Sequence, residues 1–185
     1  MIRSPQEGTK ATRTLFVFFV LFCGLPIFEA RAQSNRSVYT SLGEKQCRTI
    51  KSAMAGDDGY EARCPGTAGY ALLLSEGDLR QNITVVTPRG AKHSLDLWDV
   101  ISGGFSSVGP KAEWRLVRQK PVALIIRYNA SEDPDHPDKQ TSYLAVTKIT
   151  PTEICVTDKI PPGATANEDA RRAADAATAK PCLKK

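Results

Sequence analysis

The sequence has little of the residue types that perform most catalytic and metal chemistry. Its 185 residues include two histidines, His93 and His136, and no C-x-x-C pair. The segment around Ser106 resembles a G-x-S-x-G nucleophile elbow but does not match it, because Val108 stands where the second glycine is required. The sequence therefore predicts no catalytic residue, no metal site and no cofactor.

Long apolar runs are also missing. The uncharged apolar run at residues 15–25 has 11 residues, whereas a membrane-spanning helix needs about 20. Basic residues precede this run, and residues 30–32 (ARA) place alanine at both positions that a signal peptidase reads. We predict a secretory signal peptide over residues 1–32 and no stable membrane insertion after its cleavage; an uncleaved anchor is the alternative.

The chain has no run of like charge. After removal of residues 1–32, 21 basic and 18 acidic residues remain, and the net charge falls from +5 to +3. Motifs that bind RNA or DNA are absent from the sequence. Nucleic acid is therefore not an expected partner.

Four cysteines remain once the leader, which contains Cys23, is removed. An even number of cysteines in an exported chain favours disulfides, and four cysteines allow three pairings. We favour Cys47–Cys64 and Cys155–Cys182, because each bond would close a short loop within one end of the chain. The predicted location is periplasmic or secreted.

The mature chain is predicted to be mainly β. Short alternating or continuous apolar segments separated by turn residues are typical of antiparallel strands, and they cover residues 60–64, 69–74, 83–86, 113–118, 122–128, 141–149 and 153–157. Glycine and proline interrupt residues 91–112, for which we predict a long loop with one helical turn near residues 95–100. The predicted architecture is a single antiparallel sheet or barrel-like domain over residues 33–160.

Residues 161–185 are predicted to form a helix and a tail that pack on the β domain. Thr165 and Glu168 have the spacing of a capping box, which marks a helix start. Alanines at positions 170, 173, 174 and 177 form one face at helical spacing. Because burial of a small alanine face contributes little free energy, we expect the Cys155–Cys182 bond to help hold this helix against the sheet.

Two places carry residues suited to binding a ligand. Glu76, Asp78 and Arg80 surround a tight turn, where they can present charges to a ligand or stabilise the turn itself, the more common role of such residues. Trp98 lies between two aspartates in the irregular segment, and we predict that it is a surface aromatic. Trp114 lies on the apolar face of a strand and is predicted to be core.

An acidic segment at residues 131–138 (SEDPDHPD) contains four carboxylates and His136. Such a segment can coordinate a divalent cation, or it can be a polar hairpin loop that keeps its backbone hydrated. Two prolines stiffen it, and it lacks the glycine that an EF-hand loop needs for its turn. We therefore favour the hairpin loop and predict no metal site there.

Motifs along the chain resemble those of a family of small exported proteins of Gram-negative bacteria. They are Cys47, Tyr60 with residues 64–66 (CPG), the segments SEGDLR at 75–80 and EWR at 113–115, Cys155, and ARxAAD at 170–175. The resemblance covers nearly the whole mature chain, and SEGDLR and EWR are its most specific parts. It implies export and a single domain, and it transfers no activity and no catalytic residue.

We expect a non-catalytic binding module of the bacterial envelope, whose partner is an unknown envelope protein or a glycan. Inhibition of a cell-wall hydrolase is a specific version of this hypothesis. The predicted surface is the 91–112 segment with Trp98, aided by the turn at residues 76–80. The alternative is a hydrolase of glycans or peptides in which Glu76 and Asp78 act as acid and base, roughly 5–9 Å apart across a cleft. A purely structural envelope protein is a third hypothesis.

Overall fold

The computed structural model describes residues 35–51 and 59–184, so the predicted signal peptide at residues 1–32 lies outside the described residues. Within these described residues there are ten strands and two α-helices, followed by a short 3-10 turn at Ala177–Ala179. The elements are β1 (Arg36–Ser41), β2 (Arg48–Lys51), β3 (Tyr60–Pro65), β4 (Ala71–Gly77), β5 (Arg80–Val86), β6 (Lys92–Ser94), α1 (Leu97–Val100), β7 (Phe105–Val117), β8 (Lys120–Ser131), β9 (Gln140–Ile149), β10 (Ile154–Ile160) and α2 (Ala166–Asp175).

All ten strands belong to one open sheet. Eight of them follow the order β10-β9-β8-β7-β5-β4-β3-β2, while β1 pairs with β7 and β6 pairs with β5. The pairs are antiparallel except for one parallel bridge between Arg80 and Ser106. Strand β7 joins the two halves of the sheet, because its start lies beside β5 while its remainder pairs with β1. The prediction of a mainly β domain with one C-terminal helix and two disulfides is therefore confirmed.

The main core lies on one face of the sheet, which we call the inner face. Trp114 and Tyr128 are its largest fully buried side chains, and Trp114 donates its indole N–H to the Thr40 hydroxyl at 2.9 Å. A buried indole needs such a partner, because an unsatisfied polar group in a core costs free energy. The alternation predicted for β3 is also present, since Ala62 and Cys64 are buried while Arg63 is exposed. The core position of Trp114 is confirmed.

Both predicted disulfides are present. Cys47–Cys64 fastens the start of β2 to β3, and Cys155–Cys182 fastens the C-terminal tail to β10. The backbone N–H of Leu183 also donates to the Val156 carbonyl of β10 at 2.8 Å. Bonds that close loops of 17 and 27 residues each contribute about 3 kcal/mol on the chain-entropy account.

Helix α2 packs on the outer face of the sheet through the predicted alanine face. Ala170, Ala174 and Ala177 are fully buried against β8 and β9. The capping box is wrong, because the Thr165 hydroxyl donates to the Asp169 carboxylate and makes no cap hydrogen bond to the backbone. A capping box requires the Thr165 oxygen to accept a hydrogen bond from a backbone N–H of the first turn, and this contact is not made. None of the helices in the described residues has the length and apolarity needed to cross a membrane.

The long loop predicted over residues 91–112 is wrong for half of its length. The helical turn is present as α1, but residues 92–94 form β6 and residues 105–112 belong to β7. The strand accommodates Gly109 and Pro110 at a register shift between Val108 and Ala112, which is how bulges absorb such residues. A side chain at Gly109 would collide with that of Arg127, so the glycine permits a close approach.

Candidate functional site

An open cleft lies at the end of the sheet where three connections meet. They are the β4–β5 turn, the segment between α1 and β7, and the β8–β9 loop. The cleft has a volume of about 540 Å³ and is lined by Arg80, Ser102, Gly103, Gly104, Phe105, Ser131, Glu132, Pro134 and Pro137. We call it the Arg80 cleft. It joins three segments that are separated along the sequence by 20 residues or more.

Arg80 is held rigidly at the edge of this cleft. Its Nε donates to the Gly103 carbonyl at 3.0 Å, and its Nη1 forms an ion pair with the Asp78 carboxylate. The guanidinium carbon lies 5.2 Å from the centroid of the Phe105 ring, which is within the range of a cation–π interaction. These contacts fix the direction of the arginine, so a ligand meets a preorganised cation.

The β4–β5 turn owes its shape to two residues in left-handed backbone conformations. Asp78 and Leu79 have φ values of 49° and 55°, and positive φ at both central positions suits the right-handed twist of a two-residue hairpin. Leucine rarely adopts this conformation, because its Cβ crowds the backbone. The turn nevertheless places Leu79 outward with 62% of its surface exposed. An exposed apolar side chain in a strained turn is a candidate contact residue.

The floor of the cleft is supported by close backbone packing and a buried hydrogen bond. A Cβ atom on Gly104 would overlap the Ser131 carbonyl oxygen, so only glycine lets these two segments approach. Below them, the Tyr128 hydroxyl donates to the Ser106 hydroxyl at 2.7 Å. Burial raises the pKa of Tyr128 despite this hydrogen bond, which keeps the phenol protonated as a donor.

Glu132 provides a carboxylate on the other side of the cleft. It accepts a hydrogen bond from the Tyr143 hydroxyl at 2.7 Å, and Lys159 Nζ lies 3.9 Å away. The hydrogen bond from Tyr143, with a smaller contribution from the Lys159 charge, lowers the pKa of Glu132 below its ordinary value. Lys159 is itself positioned by the Ile101 carbonyl at 2.6 Å and by the Tyr143 ring. Glu132 is therefore an ionised acceptor near neutral pH.

The predicted binding residues do not all share this cleft. Arg80 lines it, and Asp78 stands beside it at the tip of the turn. Trp98 is exposed on α1, as predicted, but it is not among the residues that line the cleft. Glu76 lines a different cavity, where it accepts a hydrogen bond from Gln81 at 2.7 Å.

Two contributors to the cleft, Phe105 and Glu132, are not among the individual binding residues predicted from the sequence, although Phe105 lies within the predicted 91–112 surface. Phe105 is 45% exposed beside Arg80, and its signal is an aromatic residue set within a glycine- and serine-rich segment. Glu132 belongs to the acidic segment, but it turns toward Tyr143. The same loop places His136 Nδ1 at 2.9 Å from an Asp133 carboxylate oxygen.

In the described ranges, one group of three ligand-type side chains lies within 4.8 Å of one another, namely Glu153, Cys155 and Cys182. Both sulfurs of this group are bonded in a disulfide, so they offer no thiolate to a metal.

The Arg80 cleft offers a ligand both charged groups and apolar surface. A fixed cation and an ionised carboxylate flank exposed apolar surface from Phe105 and Leu79. Of the two carboxylates required by the hydrolase alternative, Glu76 lines a separate cavity, and Asp78 stands at the tip of the β4–β5 turn with its side chain 81% exposed. No family model, curated protein or solved structure matches this chain.

Proposed function

We propose that this protein is a non-catalytic binding module of the bacterial envelope and that the Arg80 cleft is the surface with which it binds an envelope protein or a glycan. The observation that carries the proposal is the exposure of Leu79 and Phe105 around a fixed arginine at the rigid end of a sheet. Arginine and aromatic residues are enriched among the side chains that dominate binding energy. Preorganisation lowers the entropic cost of using them.

A location outside the cytoplasm is supported by the disulfides. Cys47–Cys64 and Cys155–Cys182 account for every cysteine outside the predicted leader, and disulfides persist in oxidising compartments. We expect the intact mass of the native protein to correspond to a chain that starts at Gln33 and contains two disulfides. Free thiols or a retained leader would contradict export and oxidative maturation.

A specific version of the proposal is inhibition of a cell-wall hydrolase. The β4–β5 turn projects Leu79 from the edge of the cleft, and a projecting turn can enter the groove of a glycan-cleaving enzyme. Arg80 and Glu132 would then contact polar groups at the rim of that groove. Charged residues at a rim mainly set the association rate and partner choice, whereas buried apolar contacts set the dissociation rate.

Affinity capture from an envelope extract tests the proposal. The tagged protein is compared with Phe105→Ala, Leu79→Ala and Trp98→Ala, and with Ile50→Ala as a matched control, because Ile50 is an exposed aliphatic residue on β2. We expect the wild type and Ile50→Ala to enrich the same partner. We expect Phe105→Ala to weaken binding of that partner about thirtyfold, the effect of a contact at the lower limit of hot-spot strength.

Equal recovery by Phe105→Ala, Leu79→Ala and the wild type would contradict the assignment of the surface. The absence of any enriched species with the wild type would contradict the binding hypothesis itself. A captured hydrolase is then assayed for loss of activity in the presence of the wild-type protein.

A further inference from the structure

A second, larger cavity lies at the opposite end of the sheet from the Arg80 cleft. Its volume is about 620 Å³, and it is formed where the β3–β4, β5–β6, β7–β8 and β9–β10 connections come together. Lys120 begins β8 at this cavity, whereas Ser131 ends β8 at the Arg80 cleft. Twelve residues of strand separate the two sites by about 35 Å.

The polar lining of this second cavity is basic. Arg89, His93 and Lys120 line it, and no acidic residue from the described ranges does. Glu153, on the β9–β10 connection, forms an ion pair with Lys148, whose Nζ lies 2.5 Å from Glu153 Oε2. Within residues 35–51 and 59–184, the side chains of Arg89 and Lys120 form no ion pair and no hydrogen bond. We call this site the basic cavity.

The apolar lining is rigid. Pro121 and Ile149 are buried, and Tyr70 is partly buried with its ring centroid 6.0 Å from that of Trp114 in the core. The turn that carries Arg89 is closed by two backbone hydrogen bonds of 2.9 Å, in which the Thr87 N–H donates to the Ala91 carbonyl and the Gly90 N–H donates to the Thr87 carbonyl. The cavity therefore has fixed aromatic and aliphatic walls, with two cations at its mouth.

We propose that the basic cavity is a second binding site, which takes a small amphipathic anion: a molecule with an apolar or aromatic body and a carboxylate, sulfonate or phosphate group. Ligand pockets in proteins measure roughly 300–1,000 Å³ and combine mostly apolar walls with a few placed polar groups. Two cations without a protein counterion complement an anion. The volume suits a small molecule, and the distance from the Arg80 cleft makes the site independent of the proposed partner surface.

The dye 8-anilinonaphthalene-1-sulfonate has both required features, and its titration into the folded protein tests the proposal. We expect one saturable site with enhanced, blue-shifted fluorescence. Arg89→Gln/Lys120→Gln should raise the dissociation constant about tenfold, because two charge-assisted contacts are lost. Lys45→Gln/Lys139→Gln removes the same charge from exposed positions outside the cavity and should leave the dissociation constant unchanged.

Two further measurements keep the proposal falsifiable if the double variant is perturbed. Ala91→Trp, at an exposed position on the cavity wall, should block dye binding without removing a charge. Octanoate should displace the dye, whereas inorganic phosphate at the same concentration should not. Phe105→Ala should leave dye binding unchanged, which separates this site from the Arg80 cleft.

The proposal is overturned by the absence of a saturable dye site in the wild type. It is also overturned if Arg89→Gln/Lys120→Gln binds the dye as tightly as the wild type, if phosphate competes as well as octanoate, or if Ala91→Trp binds normally.

Discussion

The ion pair between Arg115 and Asp175 is a polar connection between the sheet and helix α2, as is the pair between Arg171 and Glu113. Arg115 Nε and Nη2 donate to the two Asp175 carboxylate oxygens, each at 2.8 Å, and Nη1 donates to the Ser37 hydroxyl at 2.6 Å. The Arg115 side chain is 9% exposed and that of Asp175 is 37% exposed. Asp175→Asn therefore leaves a nearly buried guanidinium without its counterion.

The expected cost of Asp175→Asn follows from this geometry. Breaking a fully buried ion pair from one side costs about 3–5 kcal/mol. Solvent reaches Asp175, and asparagine keeps one acceptor oxygen, so we expect a loss of about 1–3 kcal/mol of unfolding free energy. In a domain of this size, that loss corresponds to a fall in Tm of roughly 3–10 °C.

The effect should depend on pH with a defined sign. Burial alone raises the pKa of Asp175, but the hydrogen bonds from Arg115 and Asn35 and the charge of Arg115 outweigh burial and leave that pKa below its ordinary value. A carboxyl group with a lowered folded-state pKa stabilises the fold above its unfolded-state pKa, and this contribution is lost as pH falls through the folded-state pKa. The difference between wild type and variant should therefore shrink between pH 7 and pH 3.

Urea unfolding at pH 7 and pH 3 measures both expectations. Asp169→Asn is the matched control, because Asp169 lies on the same helix and pairs with Arg172 on the surface, where such pairs contribute about 0–1 kcal/mol. A loss for Asp175→Asn no larger than that for Asp169→Asn would refute the reasoning. A difference that persists undiminished at pH 3 would refute the assignment of the pKa shift.

Two more predictions concern the Arg80 cleft. Gly104→Ala should lower the unfolding free energy by about 1–3 kcal/mol, because the added methyl group would overlap the Ser131 carbonyl. The control Gly77→Ala, whose methyl group meets no atom within 4 Å, should change the unfolding free energy by less than about 1 kcal/mol. Equal urea midpoints for the two variants would contradict the close approach of Gly104 to Ser131. Tyr143→Phe should raise the pKa of Glu132 toward its ordinary value, because the hydrogen bond that favours the carboxylate is lost; an unchanged carboxyl titration by NMR would contradict this role of Tyr143.

The sequence predicts those features that depend on local pattern. Alternation places Cys64 on the inner face of β3, and the antiparallel pairing of β2 with β3 brings Cys47 opposite it. The alanine face of α2 follows from helical spacing alone. Trp114 is core because its strand alternates, and its burial needs one polar partner, which Thr40 supplies.

The remaining features depend on contacts between distant segments. Residues 105–112 form a strand despite Gly109 and Pro110, because pairing with β8 on one side and with β5 and β1 on the other outweighs their low strand propensity. Arg80 meets the Gly103 carbonyl across 23 residues of sequence, and no local pattern encodes that contact. Glu132 is recognisable only as an acidic loop residue until Tyr143 is placed beside it.

Site-specific photo-crosslinking in living cells tests the central claim most directly. The photoreactive amino acid p-benzoylphenylalanine is placed at position 79, at position 105 or, as the control, at exposed position 50. A protein that binds through the Arg80 cleft should give a discrete crosslinked species from positions 79 and 105 and none from position 50. Crosslinks of equal yield from all three positions, or none from 79 and 105, would contradict the claim that this end of the sheet is a binding surface.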